Sequence, residues 1–443
     1  MSANYKQQTD YEKIQALLQE QTPQLAEAIL RTFVEPFFIR RHEYLSVLDK
    51  LSTPLYLFEP EILRLRSYRF QAAFQKHFET TAFYYAVKSN NYAEISRLLI
   101  STGFGLDVSS GIELEMAVGL DADDIIFSGP GKHRLELEMS VRESDRLVVL
   151  VDSFQELAIL GQLADASQKA VRIGVRLTTN PEGLWRKFGV LPEMLPQFIT
   201  QAQCFKNLFF QGIQFHTSWN LKAQAQVDFL SFLGQILQEL PAHTRKQISF
   251  LDIGGGYWPE QGEWLQPAGT QSGMLRKAMQ ASLGDNQQHY CLSAHSIEDF
   301  AEQLSRAIQA FILPHIPQCR ICLEPGRWLC NDVMHLLMSV VDKKSDDLVI
   351  TDAGTNAVGW ERFETDYCPV LNLSRPFLLE KPCHVLGSLC TPHDVWGYNY
   401  WGEDIRIGDV LLIPNQGAYT YSLRQNFIKP LPEVAVIPDA PPA

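Results

Sequence analysis

The chain has 443 residues, 46% of them hydrophobic and 20% charged, a composition that is typical of globular proteins and excludes collagen-like or wholly disordered ones. Its 38 basic and 51 acidic residues give a net charge of −13, which would repel a nucleic-acid backbone. No apolar run approaches the ~18 residues that a membrane helix requires, and the N-terminus has no apolar signal core. We therefore expect a cytoplasmic protein that binds neither nucleic acid nor membrane.

The eight cysteines are scattered along the chain and form no framework of the kind that staples small secreted domains. Cys319 and Cys322 have a C-x-x-C spacing, but they lie in an apolar segment and lack the second pair that a zinc site would need. We expect strand cysteines here and no metal.

The predicted elements fall into three regions. Residues 1–61 form a helical segment that leads into the next region and packs with the β domain, because apolar side chains recur at helical spacing at Ile14, Leu17, Leu18, Leu25, Ile29 and Phe33. In residues 62–330, eight β-rich runs alternate with helix-length segments, with an insertion at about 257–295. Residues 331–437 carry short apolar runs between Gly, Pro and Asp. The predicted fold is α/β, a TIM (β/α)8 barrel followed by an all-β domain.

In a TIM barrel the active site is built at the carboxyl ends of the strands, so the residues that follow each predicted strand are the candidates. These residues are polar or glycine: Lys88, Asp107 with Ser109 and Ser110, Ser128 with Gly129, Asp152, Arg176, His216, Gly254 to Gly256, and Glu324 with Arg327. A lysine, a histidine, two arginines, acids and a glycine turn are therefore expected to converge at one face.

Each of these residues has a structural alternative. A desolvated Lys88 could be a Schiff-base nucleophile, although a strand-end lysine more often faces solvent. Three glycines at 254–256 can cradle a phosphate or simply form a tight turn. Glu324 and Arg327 suit a protonated ring nitrogen and a phosphate, or a buried ion pair, and His216 could stack on a flat ring or fill the core. Taken together, they indicate a pyridoxal phosphate site.

Motifs in the same order along the chain resemble those of a known family, the pyridoxal phosphate decarboxylases of the ornithine, diaminopimelate and arginine group, which have the alanine racemase-like fold (fold type III). The resemblance runs from about residue 54 to 430. It rests on AVKSN, FGLDVSSGIE, FSGPGK, VDSFQEL, Arg176 with KFG at 187–189, FH at 215–216, DIGGG, EPGR, LCTPHD and GAY at 417–419.

The resemblance implies roles for individual residues. Lys88, His216 and Cys390 would be catalytic, with Lys88 forming the Schiff base and Cys390 returning a proton to the substrate. The cofactor would be held by Lys88, Asp107, Arg176, His216, Gly254, Gly255, Gly256, Glu324, Gly326, Arg327 and Tyr419. The substrate would contact Asp352, Cys390 and Asp394. It also implies a head-to-tail homodimer with shared active sites, in which Cys390 and Asp394 act on the partner's site.

Three departures from the family's pattern bear on the substrate. Thr391 and Pro392 follow the cysteine where the best-known members carry an acid, Ser218 and Trp219 replace a glycine and a serine, and GWERFETDYCP at 359–369 lacks an arginine-proline pair. These changes favour a diamino acid or a conjugated amino acid of siderophore or other secondary metabolism over the diaminopimelate or ornithine of primary metabolism.

Two further alternatives remain open. A racemase would use the same barrel and cofactor, but the family's racemases keep an arginine near the ring nitrogen, whereas EPGR supplies Glu324. A non-catalytic homologue that binds another protein would have no physical need to keep Lys88, the glycines and Cys390.

Overall fold

The computed structural model describes residues 9–19, 22–283, 287–359 and 364–437 of the chain. Three helices precede the first strand: α1 (Asp10–Gln19), α2 (Glu27–Ile39), α3 (Arg41–Ser46) and then β1 (Leu55–Phe58). Helix α2 buries Leu30, Val34 and Phe38 on one face, in an apolar cluster with residues of the C-terminal sheet such as Leu337 and Leu412. Helix α2 therefore packs on that sheet.

Helices and strands alternate through the central part of the chain. In order they are α4 (Pro60–Gln75), β2 (Thr81–Ala86), α5 (Ala93–Ser101), β3 (Gly105–Val108), α6 (Gly111–Gly119), β4 (Ile125–Phe127), α7 (Arg134–Arg142), β5 (Leu147–Val151), α8 (Phe154–Ser167), β6 (Val171–Leu177), α9 (Leu195–Ala202), β7 (Leu208–Phe215), α10 (Gln224–Glu239), α11 (Ala242–Arg245), β8 (Phe250–Asp252), β9 (Glu263–Leu265), α12 (Gln271–Ala278), β10 (Tyr290–Leu292), α13 (Ile297–Phe311), β11 (Arg320–Leu323) and α14 (Arg327–Cys330).

Strands β2 to β8 and β11 are parallel and close into a barrel, in which β11 pairs with β8 on one side and with β2 on the other. The predicted TIM barrel is therefore confirmed. Between its seventh and eighth strands, β9 and β10 form a small antiparallel sheet. No helix in the described ranges is both long and apolar enough to cross a membrane.

Two helices with capped N-termini begin directly after barrel strands. Ser110 Oγ accepts a hydrogen bond from the backbone N–H of Glu113 at the start of α6, and Ser153 Oγ accepts one from Glu156 at the start of α8. Such N-caps satisfy backbone donors that a helix start leaves without partners. The chain can therefore turn into a helix within two residues of β3 or β5, and the polar residues between them lie at the rim.

The remaining strands are β12 (Met334–Ser345), β13 (Leu348–Thr351), β14 (Leu371–Asn372), β15 (Glu380–Leu386), β16 (Val395–Trp401), β17 (Val410–Ile413) and β18 (Glu433–Val436). With β1 they form one eight-stranded sheet in the order β13-β15-β16-β14-β17-β12-β1-β18. The all-β region is thus confirmed, but the helical prediction is wrong for Leu55–Phe58. A four-residue apolar run has too little periodicity to distinguish a strand from a helix.

Glu59 ties the N-terminal helices to the start of α4. It is 5% exposed, and its carboxylate accepts hydrogen bonds from Tyr44 Oη at 3.0 Å and Arg40 Nη2 at 2.6 Å and lies 2.8 Å from His335 Nε2. Burial alone would raise the pKa of Glu59, but His335 and Arg40 outweigh burial and lower this pKa to about 2. The ionised form therefore stabilises the fold.

We expect Glu59→Gln to lower the free energy of unfolding at neutral pH by about 3 kcal/mol, because the pKa of Glu59 falls from 4.5 to about 2 on folding. Since the folded pKa is depressed, this stabilisation is present above pH 4.5 and is lost as the pH falls towards 2. Urea unfolding between pH 3 and pH 7 measures it. The exposed Glu61→Gln is the control and should change stability by less than about 0.5 kcal/mol; equal effects of the two variants would contradict the assignment.

Candidate active site

The carboxyl ends of the barrel strands open into a cavity of about 760 Å³. Ten of the predicted candidate residues line it: Lys88, Ser109, Gly129, Arg176, His216, Gly256, Glu324, Gly326, Arg327 and Tyr419. Tyr419 comes from the C-terminal region, whereas the others follow barrel strands. The fold thus brings together residues that are far apart in the sequence, as the strand-end argument predicts.

Lys88 lies in a single turn of 3₁₀ helix after β2, and its ammonium donates a hydrogen bond to Asp107 Oδ2 at 2.6 Å. Asp107, on β3, is fully buried and also accepts a hydrogen bond from Ser128 Oγ at 2.5 Å. Burial alone would lower the pKa of Lys88, but the charges of Asp107 and Glu324 outweigh burial and raise it. A charged lysine must lose a proton before it can act as a nucleophile, and Asp107 is placed to receive that proton.

Burial shifts the pKa of the acid of this pair in the opposite direction. It raises the pKa of Asp107 to about 6, although the positive charge of Lys88 opposes the rise. A carboxyl group with a pKa near neutrality exchanges protons more readily under physiological conditions than an ordinary aspartate does. At neutral pH the pair therefore consists mainly of the Lys88 ammonium and the Asp107 carboxylate, in direct contact at the cavity wall.

Glu324 follows β11 and is 2% exposed. Gln214 Nε2 lies 3.3 Å from each of its carboxylate oxygens and donates to them, and His216 Nδ1 lies 3.7 Å from Oε2. Burial alone would raise the pKa of Glu324, but the hydrogen bond and charge of His216 and the charge of Lys88 lower it. An ionised carboxylate at this depth suits a ligand that carries a protonated ring nitrogen.

His216 is positioned by the glycine loop. Burial lowers the pKa of its imidazole, although Glu324 opposes the shift. Its Nδ1 accepts a hydrogen bond from the backbone N–H of Gly255 at 3.2 Å. An oriented imidazole beside the cavity provides a flat face for stacking on a ring.

The glycine loop packs too closely for any side chain. A Cβ at Gly255 would lie 2.1 Å from the carbonyl oxygen of Glu324, and a Cβ at Gly256 would lie 2.3 Å from that of Thr217. Gly256 also has a φ of +82°, in the left-handed region that favours glycine. The backbone N–H groups of Gly254 and Gly255 bond to Asp252 and His216, so Gly256 is the loop residue that lines the cavity.

Arg176, at the end of β6, offers an unused hydrogen-bond donor. It is 8% exposed, its guanidinium carbon lies 4.6 Å from the ring centre of Phe188, and its buried Nε has no hydrogen-bond partner among the described residues. A buried donor without a partner is costly, which indicates an acceptor on a bound ligand. Pyridoxal phosphate fits this donor together with the Lys88 amine, the ionised Glu324 and the space that the glycines keep open.

Aromatic rings surround Arg327 at the edge of the cavity. Its guanidinium carbon lies 4.4 Å from the ring centre of Trp258, 5.0 Å from that of Tyr419 and 5.5 Å from that of Trp219. The Tyr419 backbone is left-handed, with φ at +56°, and its N–H donates to the carbonyl oxygen of Ser89 at 2.7 Å. The ring positions are thus fixed by contacts between the barrel and the C-terminal region.

The other predicted substrate-binding residues lie outside this cavity. Asp352 accepts hydrogen bonds from the Ser339 backbone N–H at 2.9 Å and from Thr53 Oγ1 at 2.6 Å, so it braces β12 and the segment before β1. Cys390 is an exposed, free thiol. Residues 360–363, within the segment expected to remodel the substrate pocket, lie outside the described residues.

Asp394, predicted to contact the substrate, has its carboxylate engaged within its own chain. It is 2% exposed, and its two carboxylate oxygens accept hydrogen bonds from the backbone N–H groups of Thr355 and Leu389, both at 2.7 Å. A carboxylate occupied in this way holds the loop that carries Cys390. Its physical role in this chain is to shape that loop.

Sequence reasoning missed several residues of the site. Trp185 and Trp258 line the cavity, but they come from loops in which no spacing rule marks an aromatic residue as functional. Gln214 could have been noticed, because it interrupts the apolar run of β7 two residues before His216. Asp252, in the DIGGG motif, also follows an apolar run and is fully buried.

A comparison with known protein families agrees with this geometry. Residues 66–331 match the family model described as pyridoxal-dependent decarboxylase, pyridoxal binding domain. The chain belongs to this family. It is therefore a decarboxylase that uses pyridoxal phosphate, and among enzymes it is a carboxy-lyase acting on amino acids.

Individual relatives of this decarboxylase differ in their substrates. It is 26% identical to an L-glutamyl-[BtrI acyl-carrier protein] decarboxylase from Niallia circulans, over 86% of this chain and 87% of the relative. It is 25% identical to diaminopimelate decarboxylase from Aquifex aeolicus, over 93% and 91% of the two chains. Among solved structures, diaminopimelate decarboxylase from Methanocaldococcus jannaschii superposes with a TM-score of 0.73 at 23% identity, covering 89% of each chain. That likeness supports the fold.

Proposed function

We propose that this decarboxylase releases CO2 from a diamino acid or a conjugated amino acid during the biosynthesis of a siderophore or another secondary metabolite. The observation that supports the chemistry is the contact of 2.6 Å between the Lys88 amine and Asp107, beside the ionised Glu324 in one cavity. The substrate is proposed from two features. Trp219 lines the cavity, and Thr391 and Pro392 follow the cysteine at the place where an acid would be needed to meet a distal amine of the substrate.

Each residue of the cavity has a separate proposed role. Lys88 would hold the cofactor's aldehyde carbon and pass its proton to Asp107, while Glu324 would pair with the ring nitrogen and His216 would lie on the ring. Gly256, Gly326, Arg327 and Tyr419 line the same cavity and would hold the phosphate. When bound, pyridoxal phosphate supplies an electron sink for the electron pair left at Cα as CO2 departs.

We also propose a homodimer in which Cys390 reaches the partner's cavity and returns a proton to Cα. Two observations support this role: the Cys390 thiol is exposed, and the buried Asp394 fixes its loop through two backbone hydrogen bonds. Within one chain Cys390 does not line the Lys88 cavity. A second copy is therefore needed to bring a thiol to the reacting carbon.

Diaminopimelate decarboxylation is the second candidate function. It is favoured by relatives of that name, which match most of this chain at 22% to 25% identity. The primary-metabolic reaction would require the cavity to hold a second amino acid group, whereas a conjugate would place an acyl group against Trp219 and Trp258.

Carbon dioxide release from the cofactor-loaded enzyme tests these alternatives. Ornithine, lysine, arginine, meso-diaminopimelate and citrate-conjugated diaminopropionate should be offered separately, with trapped CO2 as the readout. We expect release from the conjugate at a kcat/KM at least about tenfold above that for the free diamino acids, since a matched pocket gains ~1.4 kcal/mol or more. Release from meso-diaminopimelate alone would favour the second candidate and overturn the secondary-metabolism proposal.

A further inference from the structure

Two buried oxygen atoms beneath the active site both lack a hydrogen-bond donor within the described part of the chain. Gln214 Oε1 and Asp252 Oδ2 are fully buried and have no hydrogen-bond partner among the described residues. The two residues are direct neighbours on the adjacent parallel strands β7 and β8, where their Cα atoms are paired. Unsatisfied buried acceptors are costly, so two of them on paired residues call for a common explanation.

The other polar atoms of these two side chains have clear partners. Asp252 Oδ1 accepts a hydrogen bond from the backbone N–H of Gly254 at 2.8 Å. Gln214 Nε2 donates to both carboxylate oxygens of Glu324 at 3.3 Å. This donation requires the amide oxygen of Gln214 to face away from Glu324, because an oxygen turned towards that carboxylate would be repelled. The Gln214 oxygen therefore needs a donor on its other side.

We propose that Asp252 holds a proton and supplies this donor, so that Asp252 and Gln214 form a positioning pair that fixes the Glu324 carboxylate from beneath the active site. One hydrogen on Asp252 Oδ2 gives partners to both deficient oxygens. Neither residue of the pair lines the cavity, and the pair acts through Glu324. The inference rests on the proposed role of Glu324 towards the cofactor's ring nitrogen.

The electrostatics of the cluster agree with a neutral Asp252. Burial raises the pKa of Asp252 well above its ordinary value, and the negative charge of Glu324 and the direct approach of the two carboxyl groups raise it further. The pKa of Glu324 is lowered by His216 and Lys88. Two acids that lie close together in a buried site are expected to separate into one ionised and one protonated group. Here the ionised acid lies at the cavity, and the protonated acid lies behind it.

Infrared spectroscopy of the wild-type protein tests the proton directly. At about pH 8, without cofactor, we expect a carbonyl band of a protonated carboxyl group that shifts in D2O and on labelling with ¹³C-aspartate. The band should be missing in Asp252→Asn. Its absence from the wild-type protein, or its persistence in Asp252→Asn, would overturn the proposal, and the wild-type measurement does not depend on any variant folding.

Substitutions test the positioning role. Asp252→Asn keeps a donor for Gln214 and an acceptor for Gly254, so we expect its kcat and cofactor affinity to stay within about twofold of wild type. Asp252→Leu and Gln214→Leu should each lower kcat about tenfold, as is typical when a group that orients an active-site ligand is lost. They should also shift the pH at which the bound cofactor's visible absorbance changes. Equal losses in Asp252→Asn and Asp252→Leu would show that a charge is needed there and would overturn the inference.

The matched control is Gln226, another fully buried glutamine whose amide donates to the carbonyl oxygen of Ile253 and whose own oxygen has no hydrogen-bond partner among the described residues. Gln226→Leu should lower thermal stability without moving the pH profile. Glu324→Gln distinguishes a failure of this inference from a failure of the proposed role of Glu324. If Glu324→Gln impairs turnover while the Gln214 and Asp252 variants do not, only this inference fails; if Glu324→Gln has no effect, the proposed role of Glu324 fails.

Discussion

Lys88→Ala is expected to lower kcat/KM by at least about 10⁴-fold, because it removes both the nucleophile and a proton-transferring group of the site. The visible absorbance of the lysine-bound cofactor should disappear at the same time. The variant also leaves Asp107 buried without its cationic partner, and that carboxyl group should then take up a proton. Stopped-assay CO2 release and an absorbance spectrum after addition of cofactor measure both effects. Lys76→Ala, at an exposed position, is the control and should match wild type.

The same variant tests the shared active site. Mixing inactive Lys88→Ala with inactive Cys390→Ala should restore about a quarter of the wild-type turnover, because random exchange puts one intact site in half of the dimers. Activity that stays absent after exchange, with mixed dimers verified by native mass spectrometry, would contradict the proposal that Cys390 serves the partner's cavity.

Glu324→Gln is expected to lower kcat about 10²- to 10³-fold, the loss typical of removing one charge-stabilising group from an active site. Glu324 is ionised because His216 and Lys88 lower its pKa against the effect of burial. A neutral amide of the same shape cannot keep the cofactor's ring nitrogen protonated, although it can still accept a hydrogen bond. Cofactor affinity should change much less than kcat, which fluorescence titration of the apoenzyme would show.

Glu298→Gln is a suitable control for Glu324→Gln, since Glu298 is an exposed acid at the start of α13 that pairs with Arg69 on the outside of the barrel. It should leave kcat unchanged. A loss of cofactor affinity in Glu324→Gln as large as its loss of turnover would contradict a role in the chemical step and would assign Glu324 to cofactor binding alone.

The barrel could be predicted from the sequence because its strands are buried on both faces. Such strands appear as continuous apolar runs, and the polar residues that end them stand out, as Lys88, Arg176 and His216 do. The regular helix after each strand then fixes the order around the barrel. Local pattern and overall topology agree in this part of the chain, which is why eight strands could be placed correctly.

The features that escaped prediction depend on contacts between distant segments. The engagement of Asp394 comes from backbone N–H groups of Thr355 and Leu389, which no side-chain pattern reveals. The aromatic rings around Arg327 meet only when the loops after β7 and β8 and the segment after β17 come together. The missing donor of Gln214 is an atomic detail of the packed barrel. Sequence patterns identify which residues reach a site but not what their individual atoms lack.

Strand β1 has a consequence for how the chain is made. It lies between β12 and β18, so both of its neighbours in the sheet are translated only after the whole barrel. During synthesis on the ribosome, Leu55–Phe58 therefore emerge early with two open edges; β12 can cover one of them, and the other stays open until β18 has been made. A nascent chain stalled before residue 433 would still expose one of these edges, because β18 is the strand that closes it.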